Sequence, residues 1–325
     1  MDSANLVSIR NLTVLSGQRV LIKNLDLDIR EGELIGVAGE SGSGKTMFIL
    51  AMLNVLPEGV KITSDRFELF GKDCRTLSSS EWRSLVGSHI GFVPQNTMFY
   101  LHPMMKIKKQ IIDSFVSHRK GTKEQGLARA AELLRRVGFD DPERVLNSYG
   151  WELSGGMRQR VNIAMALMNN PEILIADEPT TALDAAIQRQ ILDLFKDINE
   201  NEGVTILMVS HDLGMLHAYS NMNMVMYAGR MVEFGPSEDI FNAPAHPYTK
   251  ALLDVIPTLS RTADDRLVEI PGFVPDSGRE VESCIFADRC PYAEDICRQP
   301  VSMTHITAHH LCLCAKPLTG GDRNE

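Results

Sequence analysis

The octapeptide Gly39 to Thr46, GESGSGKT, restricts this chain more than any other stretch. It fits G-x-x-x-x-G-K-[ST], and it stands between a strand-like run, Leu34 to Ala38, and a helix-like run, Met47 to Leu53. Strand, loop and helix in that order are what such a loop needs to bind phosphate. Glycines let backbone N–H groups turn inward on phosphate oxygens, and the N-terminus of the following helix adds positive potential. Gly39, Ser41, Gly42, Ser43 and Gly44 form the expected cradle. Lys45 is expected to reach the β- and γ-phosphates, and the Thr46 hydroxyl to ligate Mg²⁺. The loop predicts a nucleoside triphosphate; it does not say what the energy is used for.

The surrounding pattern predicts an α/β fold. Residues Val7 to Arg30 alternate apolar and polar, as half-buried antiparallel strands do, and Glu31-Gly32 turns the chain into the strand before the loop. Strand-like runs return at Ile173 to Ala176, Val204 to Val209 and Met224 to Tyr227. Between the first two, Ile187, Ile191, Leu194, Phe195 and Ile198 share one helical face. Strands alternating with helices imply a mainly parallel sheet covered on both sides. From about residue 97 to 165 the period becomes helical, in Ile107 to Val116 and Leu127 to Val137, with a turn at Gly138; this predicts a helical insert. After Gly235 the chain is Pro-rich and less regular, so the core, residues 1–243, is expected to give way to an extension, 244–325. The tail Thr319 to Glu325 is expected to be disordered.

A length of 325 residues accommodates about two domains. The net charge of −9, with no basic block, argues against a nucleic-acid grip. No apolar run approaches the ~18 residues of a membrane span, and MDSANLVSIR has no basic-then-apolar leader. A soluble, cytoplasmic chain is expected, with any membrane role supplied by partners. Of six cysteines, five crowd between Cys284 and Cys314, which in a reducing compartment suggests metal before disulfide.

Further pieces carry chemistry. The apolar strand Ile173 to Ala176 ends in Asp177 and Glu178. Asp177 is placed to hold Mg²⁺, and Glu178, pointing elsewhere, to polarise an attacking water. Leu153 to Gln159 reads LSGGMRQ ahead of an apolar helical run; Ser154, Gly155 and Gly156 at a helix start make a second anion-binding terminus. A chain with one phosphate loop gains from a second terminus only if it completes another subunit's site. Gln95 and His211 each follow a strand, at the carboxyl end where open α/β sheets bind ligands.

In this order the pieces resemble the ATP-binding subunits of ABC transporters, a P-loop NTPase core with an N-terminal antiparallel β subdomain and a helical insert; Ala182-Leu183-Asp184 matches the family's D-loop. Ala245 to Leu253 (AHPYTKALL), Ile270-Pro271-Gly272 and the cysteine segment are similar to the oligopeptide/dipeptide/nickel importer subfamily, and Met157 after LSGG to its first ATPase subunit. The resemblance implies an ATP- and Mg²⁺-dependent ATPase in a head-to-tail dimer. Its partners would be a second related ATPase, two membrane permeases and an extracytoplasmic binding protein, with the chain peripheral at the cytoplasmic membrane face. Glu178 would act on water, His211 would steady the γ-phosphate, and Gln95 would sense Mg²⁺. Peptide or nickel would be the cargo. A soluble ABC ATPase and a poorly active regulatory subunit are the competing readings. Two departures stand out: no aromatic lies near Ser16, where relatives stack adenine, and Tyr149-Gly150-Trp151-Glu152 replaces the usual Tyr-Pro-His-Glu. Some subfamily members hold a [4Fe–4S] cluster in a similar tail, which here would take Cys284, Cys290, Cys297 and either Cys314 or Cys312, Cys314 matching the family's final Cys. Zinc and unligated thiols are the alternatives.

Overall fold

The computed structural model describes residues 5–95, 100–118, 120–181, 183–255, 269–275 and 282–318. The expected start of the insert near Thr97, Ala182 of the D-loop and the tail from Thr319 lie outside the described residues. The chain divides into two compact units. One consists of Ile29–Leu34 and Leu69–Val209 with the first six residues; the other consists of Val7–Asp28, Ile35–Glu68 and Ser210–Glu325.

In the first unit, continuous apolar runs become buried parallel strands, Phe92 alone half-buried, because neither face of such a strand can be left in water. Ile90–Val93 pairs with Ile173–Asp177, Ile90 opposite Ile173, and Ile173–Asp177 pairs with Thr205–Val209, Asp177 opposite Val209. The helix Ala185–Glu202 buries Ile191, Leu192, Leu194, Phe195 and Ile198, and Ile187 at its first turn is half-buried. Each full burial of such a side chain contributes roughly 1.5–3 kcal/mol. Asp184 starts this helix, its carboxylate accepting from the N–H groups of Ala186 and Ile187, both at 3.1 Å; such a cap is worth about 1 kcal/mol.

The expected helical insert comprises Ile107–Ile111, Asp113–Ser117, Lys123–Arg136, Pro142–Asn147 and Gly155–Ala166. The single run read over Ile107 to Val116 is two short helices meeting at Ile112. Lys123–Arg136 opens on a reciprocal cap, with Thr122 N–H donating to Gln125 Oε1 at 2.8 Å and Gln125 N–H to Thr122 Oγ1 at 3.3 Å.

In the second unit, Asn5–Ser16 and Arg19–Arg30 supply the expected antiparallel strands, joined in their sheet by Val60–Thr63 and Arg66–Leu69. Leu34–Ala38 runs parallel to Met222–Tyr227. Antiparallel additions then make the sheet mixed: Arg230–Pro236 pairs with Met222–Tyr227, Leu311–Cys312 with Glu233 and Phe234, and Thr304–His305 with Leu311–Cys312. Among the described residues after Gly235, ordered elements stand where the composition suggests irregularity. Pro247 opens the helix Pro247–Asp254, and Ala245, His246 and Tyr248 are buried. Among the described residues no helix is long and apolar enough to cross a membrane.

The buried carboxylate of Glu233 organises this region. It accepts from Ala245 N–H at 2.6 Å and His246 N–H at 3.0 Å, and its Oε1 lies 2.7 Å from His310 Nε2. His246 Nδ1 accepts from Tyr248 N–H at 3.0 Å, so that nitrogen carries no proton. Burial pushes the imidazole of His246 down to about 4. The unfolded chain therefore binds more protons between pH 4 and 6.5, and stability falls as pH drops through that window. Native stability is expected to fall by about 2 kcal/mol from about pH 7.5 to about pH 5 on this account. Urea midpoints at the two pH values check it: His246→Asn, whose amide oxygen can still accept from Tyr248 N–H, should flatten the dependence.

Candidate nucleotide and cysteine sites

Backbone geometry shapes the phosphate loop within the second unit. Gly39 has φ +146°, and a Cβ there would stand 2.2 Å from the Met226 carbonyl oxygen. Gly44, at φ +104°, caps the helix Lys45–Leu53. Both conformations exclude side chains, so the glycine pattern is a steric necessity. Gly229 N–H ties the loop down by donating to Ser43 O at 2.9 Å. Lys45 Nζ donates to the carbonyls of Gly39 at 2.7 Å and Glu40 at 2.9 Å, and contacts Ser43 Oγ at 3.4 Å. Ser43 and Lys45 are buried, while Ser41, Gly42 and Thr46 are exposed. His211, in the same unit, is exposed directly after Ser210, whose N–H donates to Val37 O at 3.2 Å.

The other unit holds Gln95, Ser154, Asp177 and Glu178. Asp177 is buried at the end of its strand. Glu178 leaves the sheet with φ +47°, a conformation a non-glycine residue adopts only under constraint. Its N–H donates to Val209 O at 3.0 Å. Its carboxylate Oε2 accepts from Gln95 Nε2 at 3.0 Å and from Thr181 Oγ1 at 3.2 Å. Two sequence-predicted residues, Gln95 and Glu178, are thus in direct contact. Tyr100 lies close enough to Asp177 to sense it: burial, then that charge, raises the phenol. Ser154 caps the helix Gly155–Ala166, its Oγ accepting from Met157 N–H at 3.3 Å. Ahead of it the divergent tetrapeptide is ordered: Tyr149 N–H donates to Glu152 Oε2 at 2.6 Å, and the Tyr149 and Trp151 rings stack at 5.8 Å. Ser16 ends its strand in an exposed position.

All six cysteines are thiols. Among the described residues no group of three or more His, Cys, Asp and Glu stands in a metal-coordinating arrangement. Burial is the main cause that raises the thiols of Cys284 and Cys290, with lesser contributions from neighbouring cysteines, Cys297 and Cys314 among them. Burial pushes Cys290 up to about 11. The Cys312 thiol donates to Cys314, which holds Cys314 down to about 7 and pushes Cys312 up. His310, four residues before Cys314, is engaged by Glu233.

Sequence reading missed a cluster beside the loop, made by Glu40, Tyr227, Tyr248 and Arg289. Tyr248 sits in the AHPYTKALL stretch and Arg289 abuts Cys290; both lay inside motifs noted only as resemblances.

Residues 22–181 match the ABC transporter family, and residues 232–297 match the oligopeptide/dipeptide transporter, C-terminal region. The chain is 39% identical over 315 residues to a probable peptide ABC transporter ATP-binding protein, y4tR, of Sinorhizobium fredii, covering 95% of this chain and 94% of that one. It is 39% identical over 277 residues to the dipeptide transport ATP-binding protein DppD of Escherichia coli (85% and 84% covered). With the oligopeptide transport ATP-binding protein OppD of Bacillus subtilis it shares 41% over 296 residues (90% and 83% covered). Among solved structures, a dimeric post-hydrolysis ATP-binding cassette, MJ0796 with ADP and Pi, aligns at TM-score 0.62 and 30% identity over 71% of this chain and 98% of that one. Motifs, fold and relatives agree: the chain belongs to the ATP-binding subunits of ABC transporters, in the group that carries the oligopeptide/dipeptide transporter C-terminal region.

Proposed function

We propose that this chain is the ATP-hydrolysing motor of an importer of di- and oligopeptides, acting at the cytoplasmic membrane face through two permeases and an extracytoplasmic binding protein. The observation that carries the reading is the Glu178 carboxylate, fixed by Gln95 and Thr181 directly after the buried Asp177. A carboxylate so held is oriented to polarise water, and phosphoryl transfer asks the protein mainly for positioning and charge stabilisation. Gly39, Ser41, Gly42, Ser43 and Gly44 cradle the phosphates, and Lys45 supplies a positive charge beside them. Thr46, Asp177 and Gln95 would hold Mg²⁺, which when bound neutralises phosphate charge. His211 steadies the γ-phosphate. Peptide as cargo is supported by the names of the dipeptide and oligopeptide relatives.

Ser154, Gly155 and Gly156 serve a partner's nucleotide. Their N-terminal helix position makes them an anion site, and the dimeric cassette that this fold resembles supports assembly in pairs. The partner is a second, related ATPase, and ATP binding closes the pair. Cys284, Cys290, Cys297 and Cys314 would hold a [4Fe–4S] cluster, a reading supported by the crowding of five of the six cysteines between Cys284 and Cys314; it would pin the extension from residue 244 onward.

Three outcomes test these assignments. Glu178→Gln should retain ATP binding while hydrolysis by the reconstituted transporter falls at least about a hundredfold; near-normal turnover removes Glu178 from the catalytic role. The purified chain alone should hydrolyse ATP slowly at every concentration and accelerate when the second ATPase is added. Activity of the lone chain that rises with concentration would instead indicate a homodimer. Protein purified without oxygen should be brown and carry about four irons. Cys314→Ser should lose them and Cys312→Ser keep them, whereas colourless protein with stoichiometric zinc would overturn the cluster.

A further inference from the structure

Glu40, the second residue of the phosphate loop, is gripped at three points. Its N–H donates to Tyr248 Oη at 2.8 Å, and its carbonyl accepts from Lys45 Nζ at 2.9 Å. Its carboxylate takes a two-point grip from Arg289, with Nη1 at 2.9 Å from Oε2 and Nη2 at 3.1 Å from Oε1. The remaining guanidinium donors are also used: Nη1 reaches Tyr227 Oη at 3.2 Å, Nε the Pro271 carbonyl at 2.8 Å, and Nη2 the Ile270 carbonyl at 3.1 Å. Arg289, Tyr227 and Tyr248 are buried, and Phe286 packs edge-on against both tyrosines at 5.2 and 5.3 Å.

A buried arginine with all of its N–H directions committed is a fixed object, and a two-point carboxylate grip specifies orientation as well as charge. Glu40 is a negative charge carried on the loop meant to receive a more negative phosphate chain. Left alone it would repel the ligand and swing freely. Arg289 cancels the charge and Tyr248 anchors the backbone that carries it. Neither residue belongs to the nucleotide motifs; both come from the segment that bears the cysteines, Arg289 immediately before Cys290.

We propose that Arg289 and Tyr248 are positioning residues for nucleotide binding, through which the cysteine-bearing segment sets the affinity of the phosphate loop. The proposal rests on the reading that ATP occupies this loop, and the two can be separated. ATP affinity is measured on the full-length chain by calorimetry, and KM and kcat on the reconstituted transporter. Lys45→Ala tests occupancy and should abolish binding. Arg289→Gln should weaken ATP binding roughly ten- to hundredfold and raise KM, with kcat at saturating ATP within about twofold. Arg289→Lys should lie between Arg289→Gln and wild type. In the double variant Glu40→Gln with Arg289→Gln, removal of the unpaired charge should restore much of the loss, a non-additivity that general destabilisation would not give. Tyr248→Phe keeps the ring packing and removes only the acceptor for Glu40 N–H; it should weaken binding severalfold and covers the case in which Arg289→Gln does not fold. Wild-type affinity in Arg289→Gln or, where that does not fold, in Tyr248→Phe overturns the proposal, as does strict additivity in the double variant. ATP binding that Lys45→Ala leaves intact overturns the underlying occupancy as well.

Discussion

A carboxylate removed from water must be met by donors, and Glu233 is met by three. Ala245 N–H, His246 N–H and the His310 imidazole surround a side chain with no exposure to solvent. Leaving such a charge unmatched would cost several kcal/mol. The need draws two distant stretches onto one core strand. The first brings Tyr248 two residues behind His246, close enough to hold Glu40 N–H. The second brings Leu311–Cys312 into register with Glu233 and Phe234, which sets Cys312 and Cys314 beside Ala245. From one buried acid the arrangement of the loop's support and of the thiols both follow.

Glu178 shows a different use of constraint. A positive φ at a non-glycine residue costs on the order of 1 kcal/mol or more, and survives where the surroundings over-determine it. Here Val209 O holds the backbone while Gln95 and Thr181 hold the carboxylate. Asp177 ends its strand buried while Glu178 leaves it at positive φ, so two adjacent acids have different surroundings. In the catalytic role proposed for Glu178, pre-set geometry of this kind would lower the ordering needed during the reaction.

Much of this was legible in the sequence, and the reason is local. The loop GESGSGKT needs only near neighbours to be recognised, and buried parallel strands announce themselves as unbroken apolar runs. The strands ending at Asp177 and Val209 and the apolar face of Ala185–Glu202 emerged close to where they were read. The break at Ile112 was not legible, since both short helices keep a helical period. Nor was the order after Gly235. Prolines and turns there signal irregularity, while the contacts that fix the region reach back to Glu233 and Glu40 across long stretches of chain. Arg289 is the extreme case: its partner Glu40 lies 249 residues away, and nothing in its neighbourhood marks it as anything but a surface cation.

The pairing of Leu311–Cys312 with Arg230–Pro236 has a consequence for how such a chain can be divided. An edge strand left bare presents a row of unpaired amides, and any other extended chain can add to it. Cut before residue 244, the cassette would expose the flank of Arg230–Pro236, whose residues from Arg230 through Gly235 are all buried in the intact protein. The terminal segment therefore also acts as a selvage, closing the sheet against unwanted lateral growth.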